Sequence, residues 1–393
     1  MICIISPGLL EVPTYRGGAR EEQHYNLGLY LSKYFRVIIV SPFYGSYKQR
    51  TLINDNFRIE RVYFPSCKSY PPIFSLVGRI LGVLSLYFYS ILVSIKVIEL
   101  AKEVKIVVVT DILTGVLPAV VAKMLGIKII YSEGNLTPWV TPYIFPKQLS
   151  LFQKTFYLFE KINGKIITKL SEVVRVQGSS IRAGMIKHGV KPNKIIVIGP
   201  GIDVNMFKSH RISHQKLKIG FIGRLSDEKG APLLLKICRM LENTFPEIMF
   251  KIFGEGPYKK HFQHLKNIEF IGWINRSDIY ASLSDVNVLL FFQRDLGIGE
   301  LEALSMGKII IAPNISSIPQ IIKNGENGFL TNPDAESFID TIKNVLSLDA
   351  YALQRISKKA RKTISTSFSW EVVGEKWKSV IKHILESGNK KML

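Results

Sequence analysis

Short, unbroken runs of β-branched and other apolar residues punctuate the sequence, and no other feature limits its fold so severely. In the first half they stand at Ile2–Ser6, Val37–Ser41, Ile59–Phe64, Ile106–Thr110, Lys128–Ser132, Val173–Gln177 and Ile195–Ile198. In the second half they stand at Lys218–Gly223, Met249–Gly254, Ile268–Gly272, Val286–Phe292, Lys308–Ala312 and Gly328–Leu330. The runs do not alternate apolar with polar residues, so each reads as a strand buried on both faces. That burial belongs to parallel sheets covered by helices. Segments of helical length separate the runs, which predicts doubly wound α/β units.

The series restarts after Pro200–Gly201, and 393 residues are too many for one ordinary core. The expected division is a first domain over 1–205 and a second over 206–369, with a cleft between them. Met206–Lys216 is polar and strongly basic and reads as the linker. At 47% hydrophobic residues the chain has the material for two cores. In open parallel sheets ligands bind at the carboxyl ends of the strands, so the loops there hold the first candidates.

The net charge of +21 predicts attraction to polyanions: acidic lipid headgroups, phosphorylated substrates or nucleic acid. Charge alone does not choose among them. The absence of a helix-turn-helix, a zinc finger or an aromatic–basic repeat argues against nucleic acid, including a DNA-modifying enzyme. Cys3, Cys67 and Cys238 stand far apart with no CxxC pair, as expected of free buried thiols in a reducing compartment. Met1–Ser6 reads as a first strand and not as a signal peptide. His261 and His264 are three apart but have no third ligand candidate, so no metal site is expected. His24 reads as a surface or packing residue.

Ile80–Ile95 is sixteen residues without a charge, between Arg79 and Lys96. A membrane span needs about 20 apolar residues. A buried or partly buried helix of the first domain, an interfacial helix lying on a membrane and a span are the three readings. The aromatic and basic residues of Pro138–Lys161 would either extend an interfacial patch or pack the core.

Three loops carry candidate chemistry. Gly223-Arg224-Leu225-Ser226-Asp227-Glu228-Lys229-Gly230 follows a strand and precedes Pro232, a good first-turn residue. Arg224 and Lys229 stand where a diphosphate would be met, one as a bidentate fork and the other as a point charge. The same residues would also suit a basic surface loop. Gly297-Ile298-Gly299-Glu300-Leu301-Glu302 leads from a strand into a helix that Gly307 stops. Its first N–H groups can hold phosphate oxygens, and Glu302 can accept both hydroxyls of a ribose. A plain strand–loop–helix with a surface glutamate is the alternative. Arg16-Gly17-Gly18-Ala19, after the first strand, is a weaker phosphate-approach loop.

The ordered series Gly17-Gly18, Ile198–Phe207, Gly223–Gly230, Phe253–Pro257, Phe270–Trp273, Leu296–Pro313, Asn324–Leu330 and Phe368–Val373 resembles glycosyltransferase family 4, the retaining group 1 glycosyltransferases. The resemblance covers most of the second domain and only loosely the first. It implies the GT-B fold, two Rossmann-like doubly wound domains facing a central cleft. The segment from Phe368 would cross back so that a helix over 370–393 completes the first domain. It implies that Arg224 and Lys229 bind the donor diphosphate and neutralise the leaving group. Glu302 matches the second glutamate of the family's Glu-x7-Glu motif, which holds the ribose. Gly297 and Ile298 would contact phosphate and sugar, Trp273 and Ile274 the base, and Gly17 and Gly18 the diphosphate from the other domain.

Two departures stand out. Arg294 occupies the place of the first glutamate of Glu-x7-Glu, with Asp295 beside it. An arginine there would suit an acidic donor sugar or a phosphorylated acceptor, or mark reduced activity. The family's histidine after the fifth strand is replaced by Tyr131-Ser132-Glu133-Gly134-Asn135, where Glu133 is the candidate polar group. The function implied is sugar transfer from a UDP- or GDP-linked donor, a co-substrate and not a resident cofactor, to a glycan or lipid-linked acceptor. A cytoplasmic place, with peripheral contact to an anionic membrane face, goes with it. The alternative is a degraded GT-B protein that serves as a binding or membrane-associated partner.

Overall fold

The computed structural model describes residues 1–6, 12, 19–45, 47–64, 76–134, 151–206, 218–274, 278–294 and 296–389, with backbone only at 76–81, 151–153 and 388–389. Gly17, Gly18, Cys67, Asn135, Asp295, His210 and His214 lie outside these residues, as do Pro138–Ser150 and all of the expected linker beyond Met206. The chain divides into unit 1, Met1–Gly201 with Trp370–Leu393, and unit 2, Ile202–Ser369.

In unit 1 the described strands are β1 (Ile2–Ile5), β2 (Val37–Phe43), β3 (Arg50–Asn54), β4 (Phe57–Tyr63), β5 (Ile106–Val109), β6 (Lys128–Glu133), β7 (Val173–Val176) and β8 (Ile195–Val197). They form one sheet in the order β3-β4-β2-β1-β5-β6-β7-β8. All neighbours are parallel except β3, which runs antiparallel to β4. The Val/Ile runs explain the interior. Cys3, Ile5, Ile38 and Val40 face one core, and Ile2, Ile4, Val37 and Ile39 face the other. Both faces are therefore dry, at roughly 1.5–3 kcal/mol for each fully buried aliphatic side chain. Helices α2 (Leu76–Glu99), α3 (Ile112–Met124) and α4 (Leu151–Leu170) cover the first face, together with α5 (Ser179–Lys187). Helix α1 (Ala19–Leu31) and the final helix α13 (Trp370–Asn389) cover the second.

Strand β3 was not among the sequence expectations. Its residues alternate between exposed and half-buried at a sheet edge, so no apolar run marks it. The α13 helix buries Val373, Trp377, Ile381 and Ile384 at helical spacing. Gly374 lies inside it because a Cβ there would stand 2.2 Å from the Tyr30 ring. The Tyr30 hydroxyl also donates to Glu375 Oε1 at 2.6 Å.

Unit 2 repeats the plan. Strands β9 (Ile219–Ile222), β10 (Phe250–Phe253), β11 (Ile268–Gly272), β12 (Val288–Leu290), β13 (Ile309–Pro313) and β14 (Phe329–Thr331) form a parallel sheet in the order β11-β10-β9-β12-β13-β14. Around it lie α6 (Ala231–Thr244), α7 (Lys259–Phe262), α8 (Ile279–Ser282), α9 (Ile298–Ser305), α10 (Ile318–Ile321), α11 (Ala335–Leu346) and α12 (Ala350–Ser367). The order reverses between β9 and β12, which pair directly. That reversal is a topological switch point, where successive loops leave in opposite directions and open a crevice.

Candidate functional site

The switch point of unit 2 receives two candidate loops. The loop after β9 runs through Arg224 to a single 3₁₀ turn, Asp227–Lys229. Gly230 follows with φ 78°, and α6 starts at once with Pro232 in its first turn. Glycine is required at 230, because φ is positive and a Cβ would stand 2.3 Å from Phe292 Cβ. The loop after β10 locks this one in place. The Gly223 N–H donates to Phe253 O at 2.9 Å, Leu225 N–H to Glu255 O at 2.9 Å and Tyr258 N–H to Leu225 O at 3.1 Å.

The loop after β12 meets it from the other side. Lys229 Nζ donates to Gln293 Oε1 at 2.9 Å, and Gln293 Nε2 reaches the Glu228 carbonyl at 3.3 Å. Lys229 is half-buried and so held in position. Arg224 is more exposed and pairs with Glu228 at 3.1 Å. Such an exposed pair is worth at most about 1 kcal/mol, so an incoming anion can replace Glu228 cheaply.

Helix α9 begins at Ile298 with Gly297 before it. Its acid at the third position, Glu300, is buried beside Gly297; a Cβ on Gly297 would stand 2.7 Å from Glu300 Oε2. Burial raises the Glu300 pKa; the Lys229 charge and hydrogen bonds from the Glu300 and Gly297 backbone N–H groups act the other way. A carboxylate thus already sits on the positive end of α9 and in the field of Lys229. Glu300 is not among the residues expected from sequence: an acid in the first turn of a glycine-preceded helix is its only local signal, and its burial is a tertiary fact.

The other expected residues are distributed as follows. Glu302 is 1% exposed, within α9. Arg294 is exposed on the loop after β12. Trp273 is 66% exposed after β11, and Ile274 packs against the core of unit 2. Gly297 and Ile298 are half-buried. Lys229 and the start of α9 are therefore brought together, with Arg224 on the same loop as Lys229.

Unit 1 has its own polar cluster at the carboxyl ends of its central strands. Glu133, at the end of β6, is buried and accepts from the Tyr131 hydroxyl at 2.5 Å. Arg175 is buried and donates to Ser132 Oγ at 3.3 Å and Gly199 O at 3.0 Å. Burial lowers its pKa to about 10 against the pull of Glu133. Glu160 of α4 is buried, and its pKa is raised to about 7 by burial and by Glu133 and Asp111. Asp111 caps α3 by accepting from the Leu113 and Thr114 N–H groups, and pairs with Arg20 at 3.7 Å. His24 is buried with Nδ1 3.3 Å from Ser6 Oγ, and burial with the charges of Arg20 and Arg175 lowers its pKa to about 3. Glu133, the expected polar group after the fifth family strand, thus belongs to a network that includes Glu160, Asp111 and Arg175. Among the described residues no group of three or more His, Cys, Asp or Glu side chains could hold a metal ion.

Residues 204–363 match the family model of glycosyl transferases group 1. The second unit is a group 1 glycosyltransferase domain. The sulfoquinovosyl transferase SQD2 of Arabidopsis thaliana is 27% identical over 282 residues, 65% of this chain and 52% of that protein. The chain spans about half the length of the curated relatives it matches, 46–60%. Among solved structures, the sucrose-phosphate synthase of Thermosynechococcus elongatus superposes with a TM-score of 0.79 at 15% identity, covering 98% of this chain and 99% of that one. Anabaena HepE, solved in complex with UDP and glucose, gives 0.69 at 16% identity, covering 97% and 99%. These likenesses show the fold, and the group 1 domain thus sits within a GT-B chain.

Proposed function

We propose that the protein is a retaining glycosyltransferase that moves a sugar from a nucleoside diphosphate sugar to a glycan or lipid-linked acceptor. The observation that carries this is the convergence of Lys229 and the α9 N-terminus, with Arg224 on the Lys229 loop, at the switch point of the unit 2 sheet. Cations and helix-terminal backbone N–H groups at such a place suit a diphosphate. A protein of the same fold, HepE, was solved with UDP and glucose.

In this reading Arg224 and Lys229 hold the diphosphate, and backbone at Gly297 and Ile298 meets its oxygens. Glu302 takes the ribose hydroxyls, and Trp273 with Ile274 borders the base. The bond from the anomeric carbon to the diphosphate oxygen breaks as the acceptor oxygen bonds to the same face. The acceptor's proton passes to the departing phosphate. Charge builds on that phosphate, so Arg224 and Lys229 are the main electrostatic contribution to rate. The resemblance also assigns Gly17 and Gly18 to the diphosphate, and Glu133 would orient the sugar or acceptor. Arg294, in place of the motif's first glutamate, favours an acidic sugar or a phosphorylated acceptor. No metal is required in this scheme. Cys3 and Cys238 are free and buried, which suits a cytoplasmic place.

A hydrolysis screen across UDP- and GDP-sugars, with the product anomer read by NMR, tests the proposal. Lys229→Ala or Glu302→Ala should cut turnover about tenfold or more with circular dichroism unchanged. Full activity in either variant would refute the site. If no nucleoside diphosphate binds in a calorimetric titration, a non-enzymatic role takes over.

A further inference from the structure

Helix α2 is not amphipathic: both its buried and its exposed face are apolar. One face packs inward through Tyr89, Val93 and Val97. Ser90 Oγ on that side donates to Thr114 O of α3 at 3.0 Å. The opposite face presents Leu84, Phe88, Ile91, Ile95 and Ile98, each 47–57% exposed. Their spacing is that of one helical stripe, about 21 Å long at 1.5 Å per residue. A surface helix of a soluble domain carries polar residues there. Because α2 covers the sheet with its other face, the helix lies along the unit and does not cross a membrane in this fold, although its length and composition over Gly82–Glu99 would allow a span.

The stripe does not end with α2. Helices α2, α3 and α4 cover the same face of the sheet, and the Tyr87 and Phe159 rings join α2 to α4 at 5.7 Å. Outward on α4 stand Leu158, Ile162 and Ile166. Along the same helix stand Lys154, Lys165 and Lys169, also exposed, with Lys161 half-buried. The single acid of α4, Glu160, is buried. The lysines form a positive field: beyond burial, the charges of Lys161, Lys187 and Lys165 depress the His188 pKa.

We infer that the outer face of α2 and α4 is a docking surface for an anionic lipid bilayer. Apolar stems would enter the headgroup boundary, and the lysines would snorkel to the phosphates. A second copy of the chain fits less well, since a two-fold contact through this face would set the α4 lysines against one another. The inference gives the lipid-linked acceptor reading its physical setting and rests on that reading for its purpose. Its test reads vesicle binding and so stands apart from transfer.

The experiment is co-sedimentation of the full chain with phosphatidylcholine vesicles, with and without phosphatidylglycerol, at low and high salt. Binding is expected only with phosphatidylglycerol present and should weaken as salt rises. The pair Ile91→Glu with Ile95→Glu, which touches only outward positions, should lower the bound fraction by about tenfold or more. The pair Lys161→Glu with Lys165→Glu should abolish the preference for anionic vesicles, and it keeps the inference testable if the first pair misfolds. UDP titration of both variants should match the parent chain. The inference is overturned if the parent chain stays in the supernatant, if both pairs sediment as it does, or if Ile91→Glu breaks a dimer with no change in vesicle binding.

Discussion

At the scale of single residues, the candidate donor site turns on one carboxylate. Glu300 lies on the Gly297 and Glu300 backbone N–H groups and in the field of Lys229. Those are groups that the proposed diphosphate would use, so the carboxylate and the donor compete for them. Glu300→Gln keeps the shape and removes the charge. It should tighten UDP binding by about threefold to tenfold, a small part of the repulsion between like charges a few ångströms apart at an effective dielectric near 20. Isothermal titration calorimetry reads this directly, and an unchanged or weaker Kd would refute it. The loop that carries Arg224 and Lys229 was legible in the sequence because it lies between a strand and a helix start, a local pattern. Glu300 was not, since only the fold buries it and brings it into the field of Lys229. The motif gives Arg294 its place, and the structure gives its exposure.

At the scale of elements, the long Val/Ile runs gave most of the parallel strands, because burial on both faces leaves a continuous apolar signature. The strand ends were less legible: the run Val286–Phe292 contains only Val288–Leu290 as strand. The edge strand β3 was invisible for the opposite reason, having half its side chains in solvent. Loops carry a different record. The Phe253–Pro257 motif looks like a plain glycine-rich turn, yet Gly254 lets the β10 loop lie against the β9 loop. Its φ is 144°, and a Cβ would stand 2.0 Å from the Gly223 carbonyl oxygen. Gly254→Ala must move one loop, at a cost of about 1–3 kcal/mol. That predicts a Tm lower by several degrees, at roughly 2–4 °C per kcal/mol for a unit of this size. Gly299, inside α9 with nothing within 4 Å of its Cβ position, is the contrast. Gly299→Ala should raise Tm slightly, by up to about 1 kcal/mol of helix propensity. Scanning calorimetry of the two variants should separate them in sign; a shared sign would show that the loop contact is not what constrains Gly254.

At the scale of the whole molecule, stability against pH is a sum over groups that differ between folded and unfolded chains, and two buried groups of unit 1 pull in opposite directions. His24 has a folded pKa of about 3 against an ordinary 6.5. The unfolded chain therefore takes up a proton that the folded chain refuses. His24 contributes stability above pH 6.5 that drains away as pH falls towards 3. Glu160 has a folded pKa of about 7 against 4.5, raised by burial and by Glu133 and Asp111. Its proton is kept in the folded chain, so its contribution is complete below pH 4.5 and is lost as pH rises through 7. Between pH 4.5 and 6.5 the two slopes oppose each other. Glu160→Gln removes one of them, and subtracting its Tm profile from that of the parent chain cancels His24 and the other groups that do not interact with Glu160. The difference should be smallest near pH 5 and grow in the variant's favour to pH 8, where the parent must bury a carboxylate beside Glu133 and Asp111. The variant alone should then lose Tm steadily from pH 6.5 to 5 as the His24 slope is uncovered. Parallel profiles from pH 5 to 8 would show that Glu160 is already ionised in the folded chain, and that the polar end of the unit 1 sheet carries one negative charge more than its burial allows.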